Sequence, residues 1–328
     1  MAEAEQASAA QLKAASPEKR SRHLLEIIPS QLELLRSYHR DVLETDDVEA
    51  VHKMRVTTRR LQASLDLLER QMNVRKLKRR LRRWRRTLSR VRNYDVFLEL
   101  IEKEAVGRRQ AHREQFELVQ ALLQQRRLNN ATRVRQFLEG INVNQISVAL
   151  SLESPSTKSE SEAGFVLDGK VMSGWAADRL DQRLAEFQAL VVQAQPTTDP
   201  AELHQVRIAA KRMRYLLEVI STMGYGDASR ALAWLRTLQD RIGDWHDLEA
   251  LEEEIIAIVS SREFMKAHLA ESGRMLQAAA HLQKKKAALR SRLFPLRVPK
   301  SLETTSRRIA RSLRRDAAGG QVTSVPAD

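Results

Sequence analysis

Two histidines, each followed by a regular train of cations, are the residues in this chain whose types and spacing could do chemistry. The first is His52, followed by Arg55, Arg59 and Arg60; the second is His204, followed by Arg207, Lys211, Arg212 and Arg214. At 100° per residue, with His52 at zero, Arg55 falls near 300° and Arg59 near 340°, so the three share one narrow stripe of a helix. The same construction groups His204, Arg207, Lys211 and Arg214. Met54, Leu61, Leu65 and Leu68 form a separate apolar stripe, repeated by Val206, Met213, Leu217 and Ile220. An ordinary solvated helix face mixes signs, because opposite charges at i,i+4 stabilise and like charges do the reverse. A like-charged stripe therefore implies a bound anion. Arginine would offer a fork to two phosphate oxygens, lysine a compact charge, and histidine a donor that strengthens on protonation, so binding should weaken with salt and with rising pH.

The densest charge follows the first motif. Residues 75–92 contain eleven Lys/Arg and no acid. Leu77, Leu81, Trp84, Leu88 and Val91 still share a stripe, which marks a packed helix. Arg75, Lys78, Arg82 and Arg85 cluster on one face, with Arg86 at its edge, and are expected to contact the anion.

The two motifs are copies. Val51 to Leu61 aligns with Leu203 to Met213 at an offset of 152 residues, and Leu88 to Asp95 aligns with Ile242 to Glu249 at an offset of 154. The slip falls at Met223-Gly224-Tyr225-Gly226, a turn that tolerates insertion.

The elements that must position these residues are helices, because apolar spacing is helical nearly throughout. They are expected at about 21–44, 47–72, 74–105, 108–139, 173–195, 199–222, 226–258 and 260–293. Thr45 or Asp46 is a suitable cap for the second helix, Asp199-Pro200 opens the sixth, and Gly140 ends the fourth. The organisation expected is all-α: a disordered N-terminus over 1–20, a four-helix bundle over 21–140, a Ser/Glu-rich linker over 141–170, a second bundle over 171–295, and a basic, disordered tail over 296–328.

Composition agrees. Of 328 residues 42% are hydrophobic, while Gly (11) and Pro (8) are sparse, as in helical proteins. Lys and Arg number 56 against 42 Asp and Glu, for a net charge of +14 that points to polyanionic partners. Cysteine is absent, which excludes disulfides, thiolate metal sites and cysteine nucleophiles and favours a reducing, cytoplasmic location. No apolar run approaches the length of a membrane span, and the first twenty residues lack the pattern of a signal peptide.

The duplicated His-x-x-Arg-(x)3-basic-Arg segment, each copy followed by a Leu/Ile-Gly/Ser-x-x-x-Asn/Asp segment, resembles the CHAD family, the conserved histidine α-helical domain. The resemblance covers roughly residues 21–293. It implies two four-helix bundles related by a pseudo-twofold axis, with basic stripes lining a central cleft or pore that binds inorganic polyphosphate. It matches His52, Arg55, Arg59 and Arg60 with His204, Arg207, Lys211 and Arg212. Three positions depart from the pattern: Ser89 stands for Gly, Asn93 for Asp, and His246 for Asn. The expected function is non-catalytic binding of polyphosphate, with association with polyphosphate granules and no cofactor.

Two other readings are open. Nonspecific nucleic-acid binding fits the charge, although aromatics are only 5% of residues and supply no stacking platform for single strands. A metal-dependent phosphohydrolase is suggested by His246-Asp247, but the repeat aligns His246 with Arg92, and a cation is a poor structural twin for a metal ligand.

Overall fold

The computed structural model describes residues 15–45, 47–105, 110–146, 167–195 and 199–319, and all its described elements are helices. They are α1 (Pro17–Glu44), α2 (Val48–Leu68), α3 (Arg75–Ala105), α4 (Gln110–Glu139), α5 (Gly169–Gln193), α6 (Pro200–Thr222), α7 (Ser229–Val259), α8 (Arg262–Ala267), α9 (Leu269–Leu293) and α10 (Lys300–Ala317). The fold is all-α, as the periodicity predicts.

Local chemistry sets the boundaries. Asp199 accepts a hydrogen bond from the Ala201 amide and Pro200 opens α6, so the start of the second motif helix is fixed by side chains. The corresponding cap of α2 is Asp47, which accepts from the Glu49 amide; Thr45 instead ends α1. The helix expected over 260–293 is broken at His268 into α8 and α9.

Each motif helix buries its apolar stripe. Met54, Leu61 and Leu65 in α2, and Val206, Met213, Leu217 and Ile220 in α6, are completely buried. Each such side chain contributes about 2 kcal/mol of transfer free energy. These stripes anchor the helices, which leaves the cationic stripes to face elsewhere.

Within each half, consecutive long helices pack on one another: α1 on α2, α2 on α3 and α3 on α4, then α5 on α6, α6 on α7 and α7 on α9. Between halves, α1 meets α5, α2 meets α6, α3 meets α7 and α4 meets α9. Two of these cross-contacts, α2 with α6 and α3 with α7, join helices that the sequence repeat aligns.

Three expectations about the boundaries need correction. Residues 17–20, assigned to a disordered terminus, are the first turn of α1, capped by Ser16, and Arg20 is buried there. The segment 296–328, expected to be a disordered tail, contains α10. That helix packs along α5 and buries Leu302, Ile309, Ala310 and Leu313, a helical apolar stripe hidden among arginines. Arg20 forms a buried ion pair with Asp316 of α10, and the Tyr225 hydroxyl donates to the same carboxylate at 2.9 Å. Finally, the buried apolar residues do not sort into one core per half. One cluster takes side chains from α1, α2, α5, α6 and α10, and the other combines the C-terminal parts of α3 and α7 with α4 and α9. Much of the expected linker, residues 147–166, lies outside the described residues, as do 1–14 and 320–328.

Candidate functional site

Because α2 meets α6, the two motifs meet as well. Arg55 and Arg59 of the first half and Arg207 and Lys211 of the second come within electrostatic reach of one another, joined by Arg85 and Arg92 from α3. These side chains are partly buried. Their Coulomb repulsion is weakly screened there, and the absence of water penalises each charge.

The titration behaviour records that cost. Desolvation, reinforced by Arg59, Arg92, Arg207 and Arg85, lowers Arg55 to about 9. Desolvation together with Arg59, Arg82 and Arg86 lowers Arg85 to about 10. Lys211 falls furthest, to about 6, through desolvation and then Arg207, Arg59 and Arg55. Near pH 7 the arginines keep their charge and Lys211 is largely a neutral amine. The Nε atoms of Arg55 and Arg207 are buried with no hydrogen-bond partner. Buried donors of this kind normally find an acceptor, so these two are poised for one.

The histidines flank the cluster. His204 Nδ1 lies 3.0 Å from His246 Nε2, with the rings edge to face. Burial lowers the pKa of both, and the neighbouring cations lower it further. In the first half Arg92 stands where the repeat places His246, and after desolvation it does most to depress His52. All three imidazoles are therefore mostly neutral near pH 7.

The three departures from the family pattern have visible roles. A Cβ added to Gly243, the counterpart of Ser89, would sit 3.7 Å from Arg207 Nη2, an ordinary contact, so a small side chain is tolerated beside the motif arginine. Asp247 approaches Arg207 at 3.8 Å, whereas its counterpart Asn93 offers Arg55 no charge. His246 pairs with the motif histidine itself.

The remaining sequence-predicted residues divide. Lys78 does not join the cluster: it is buried between Asp66 at 2.5 Å and Glu69 at 3.0 Å, where it ties the start of α3 to the end of α2. Arg60 and Arg212 are exposed and face Glu218 at 3.7 Å and Glu186 at 2.9 Å. Arg214 lies beside Glu218 at 3.5 Å. Arg75, Arg82 and Arg86 are exposed; Arg82 and Arg86 flank Arg85 at the margin. Arg85 enters the cluster and is held by Gln62 at 3.0 Å. Sequence reasoning passed over Arg92, His246 and Asp247 as ligand-facing groups, although the repeat had already aligned Arg92 with His246. Among the described residues, no three His, Asp or Glu side chains converge as a metal site would require.

A family model, the CHAD domain, matches residues 26–255, which include both motifs and both ends of the cluster. The chain belongs to the CHAD family. Its fold is similar to the crystal structure of the CHAD domain from the plant Ricinus communis, with 22% identity, coverage of 88% of this chain and 95% of that one, and a TM-score of 0.61. It is also similar to PptA from Streptomyces chartreusis, at 18% identity, 89% and 99% coverage, and a TM-score of 0.56. No curated protein matches the chain. In CHAD terms, the matched region ends within α7, so α8, α9 and α10 lie outside it.

Proposed function

We propose that this CHAD protein binds inorganic polyphosphate without transforming it, and that it does so in the cytoplasm, associated with polyphosphate granules. The observation that carries the reading is the junction of α2 and α6, where Arg55, Arg59, Arg85, Arg92, Arg207 and Lys211 gather and outnumber the carboxylates within their reach, Asp247 beside Arg207 and Lys211 and Asp95, already paired with Arg127, beside Arg92 and Arg55. Polyphosphate is the ligand that membership of the family favours, and it suits the site physically. A thin chain with about one charge per phosphate can lie among partly buried donors, where a duplex some twenty ångströms wide would touch only the rim. Arginine forks can each engage two oxygens of such a chain.

Catalysis is not part of the proposal. Among the described residues neither motif histidine is hydrogen-bonded to a carboxylate that would orient a general base; His204 contacts another histidine instead.

The test compares long-chain polyphosphate with duplex DNA at equal charge concentration and physiological salt, using the full chain and the combined variant Arg55→Ala, Arg59→Ala, Arg207→Ala, Lys211→Ala. Polyphosphate is expected to bind more tightly, and the variant to lose at least tenfold in polyphosphate affinity. Tighter binding of DNA, or unchanged affinity in the variant, overturns the reading. Phosphate release sustained by magnesium or manganese would establish an enzyme instead.

A further inference from the structure

The eleven cations of residues 75–92 sort sharply by direction. Lys78, Arg85 and Arg92 turn inward, and the other eight are exposed. Of those eight, Arg75, Arg82 and Arg86 lie on the edge of α3 next to Arg85, at the margin of the cluster described above. Lys76, Arg79, Arg80, Arg83 and Arg90 continue that exposed band within an arc of about 100° that begins about 20° beyond Arg86 and is centred on the side of the helix away from Arg85 and Arg92. This second row runs for about 21 Å along the helix axis.

Three properties bear on what the row can bind. Among the described residues, none of its five cations lies within ion-pair distance of a carboxylate, so its charge is uncompensated, as it is at Arg75, Arg82 and Arg86 beside it. The apolar residues between them, Leu77, Leu81, Trp84 and Leu88, are buried, so the row has no side chain able to wedge into a lipid layer. It is also convex and rigid, being the outer face of a packed 31-residue helix.

We propose that this outer face of α3 is a second polyanion-binding surface, independent of the α2–α6 cluster, and that it takes double-stranded DNA without regard to sequence. A convex row cannot surround a thin, flexible chain, and such a chain finds better partners among the concave, partly buried donors of the cluster. A duplex matches the row in stiffness, and one phosphate per 1.7 Å of axis places about a dozen charges along its length, enough to give each of the five cations a partner. Arg83, which stacks over Phe137 with its guanidinium 5.2 Å from the ring centre, is preordered for contact. The row holds no Asn, Gln or Glu to read adenine or cytosine, and its arginines and its lysine, the side chains that can read guanine, are assigned to the phosphates. The contacts are to phosphate, and they fix position and affinity rather than sequence. The protein could then hold DNA and a polyphosphate chain at once, on opposite sides of one helix.

The experiment measures fluorescence anisotropy of a labelled 24-base-pair duplex between 50 and 200 mM KCl. It uses the full chain, the variant K76Q/R79Q/R80Q/R83Q/R90Q, and the variant R55A/R59A/R207A/K211A. Glutamine keeps helix propensity and removes like-charge repulsion, so the first variant is expected to retain its far-UV circular dichroism. A milder R79Q/R90Q variant leaves the Arg83–Phe137 contact intact. The full chain should give a slope of log affinity against log salt near −4, from four or five neutralised phosphates. The five-site variant should lose at least tenfold in duplex affinity at 100 mM KCl and most of that slope, the two-site variant about threefold, and two unrelated duplex sequences should bind equally. Polyphosphate affinity should change less than threefold in either glutamine variant. Duplex binding that survives in R55A/R59A/R207A/K211A supports the separate surface, whatever happens to polyphosphate. Unchanged duplex affinity in the five-site variant, or loss of duplex binding in the alanine variant alone, overturns it. So does binding of the row to anionic vesicles or polyphosphate with no measurable binding of the duplex.

Discussion

His204 and His246, on neighbouring helices, face one another with Nδ1 and Nε2 3.0 Å apart, while the position equivalent to His246 in the first half is Arg92. The first-half wall of the site thus sets arginines beside a single imidazole, His52, and the second-half wall sets Arg207 beside two imidazoles and the depressed amine of Lys211. The two halves share a plan and differ in how they respond to protons.

A first consequence is directional pH dependence. A bound polyanion favours the protonated forms of His52, His204, His246 and Lys211, all of which lie below their ordinary values in the unliganded protein. Binding therefore takes up protons wherever these groups start neutral, and affinity falls as pH rises from about 6. Polyphosphate affinity should drop roughly tenfold between pH 6 and pH 8, and calorimetry in buffers of different ionisation enthalpy should report uptake near pH 7. The variant Lys211→Arg with His246→Arg, which copies the charge pattern of the first half, should flatten both signals.

Lys211 also carries a stability cost. Its folded pKa of about 6 lies below the unfolded value, so between about 6 and 10.5 the unfolded chain binds more protons, and the contribution of this group becomes more unfavourable as pH falls through that window. Lys211→Met should raise the Tm of the unliganded protein at pH 7 by about 3 °C or more, while reducing polyphosphate affinity about tenfold. A lower Tm would contradict the cost.

Glu218 competes with the proposed ligand. Its carboxylate lies between Arg60, Arg214 and Arg236, at 3.5–3.7 Å from each. Removing that negative charge in Glu218→Gln should raise polyphosphate affinity roughly threefold in titrations at 100 mM salt, as expected for one weak ion-pair competitor.

The C-terminal helix is structural. Asp316→Ala breaks the buried ion pair with Arg20 and removes one of the two hydrogen-bond partners of the Tyr225 hydroxyl, the other being Ser173, which should cost about 3–5 kcal/mol and lower Tm by about 10 °C. Asp316→Asn, which keeps a hydrogen-bond acceptor, should fall between the two. Thermal denaturation followed by circular dichroism at 222 nm distinguishes them.

The sequence by itself determined the helices and the motif faces, because a period of 3.6 residues leaves Met54, Leu61, Val206 and Met213 on one side and Arg55, Arg59, Arg207 and Lys211 on another. It also displayed the duplication, since two diverged segments kept the same pattern of apolar, small and basic positions. A stretch dense in arginine concealed α10, whose apolar stripe of Leu302, Ile309 and Leu313 is narrow and gains its stability by packing, chiefly against α5. Nor could spacing along one helix separate Lys78 from Arg85, which share a face: Asp66 and Glu69 neutralise the first, and the cluster receives the second. Tertiary structure alone decided that the two motifs meet, and with that contact came the depressed lysine, the histidine pair and the division of α3 into an inner and an outer cationic face. Those properties arise from charges on different helices brought together away from water, and no periodicity within one helix encodes that distance.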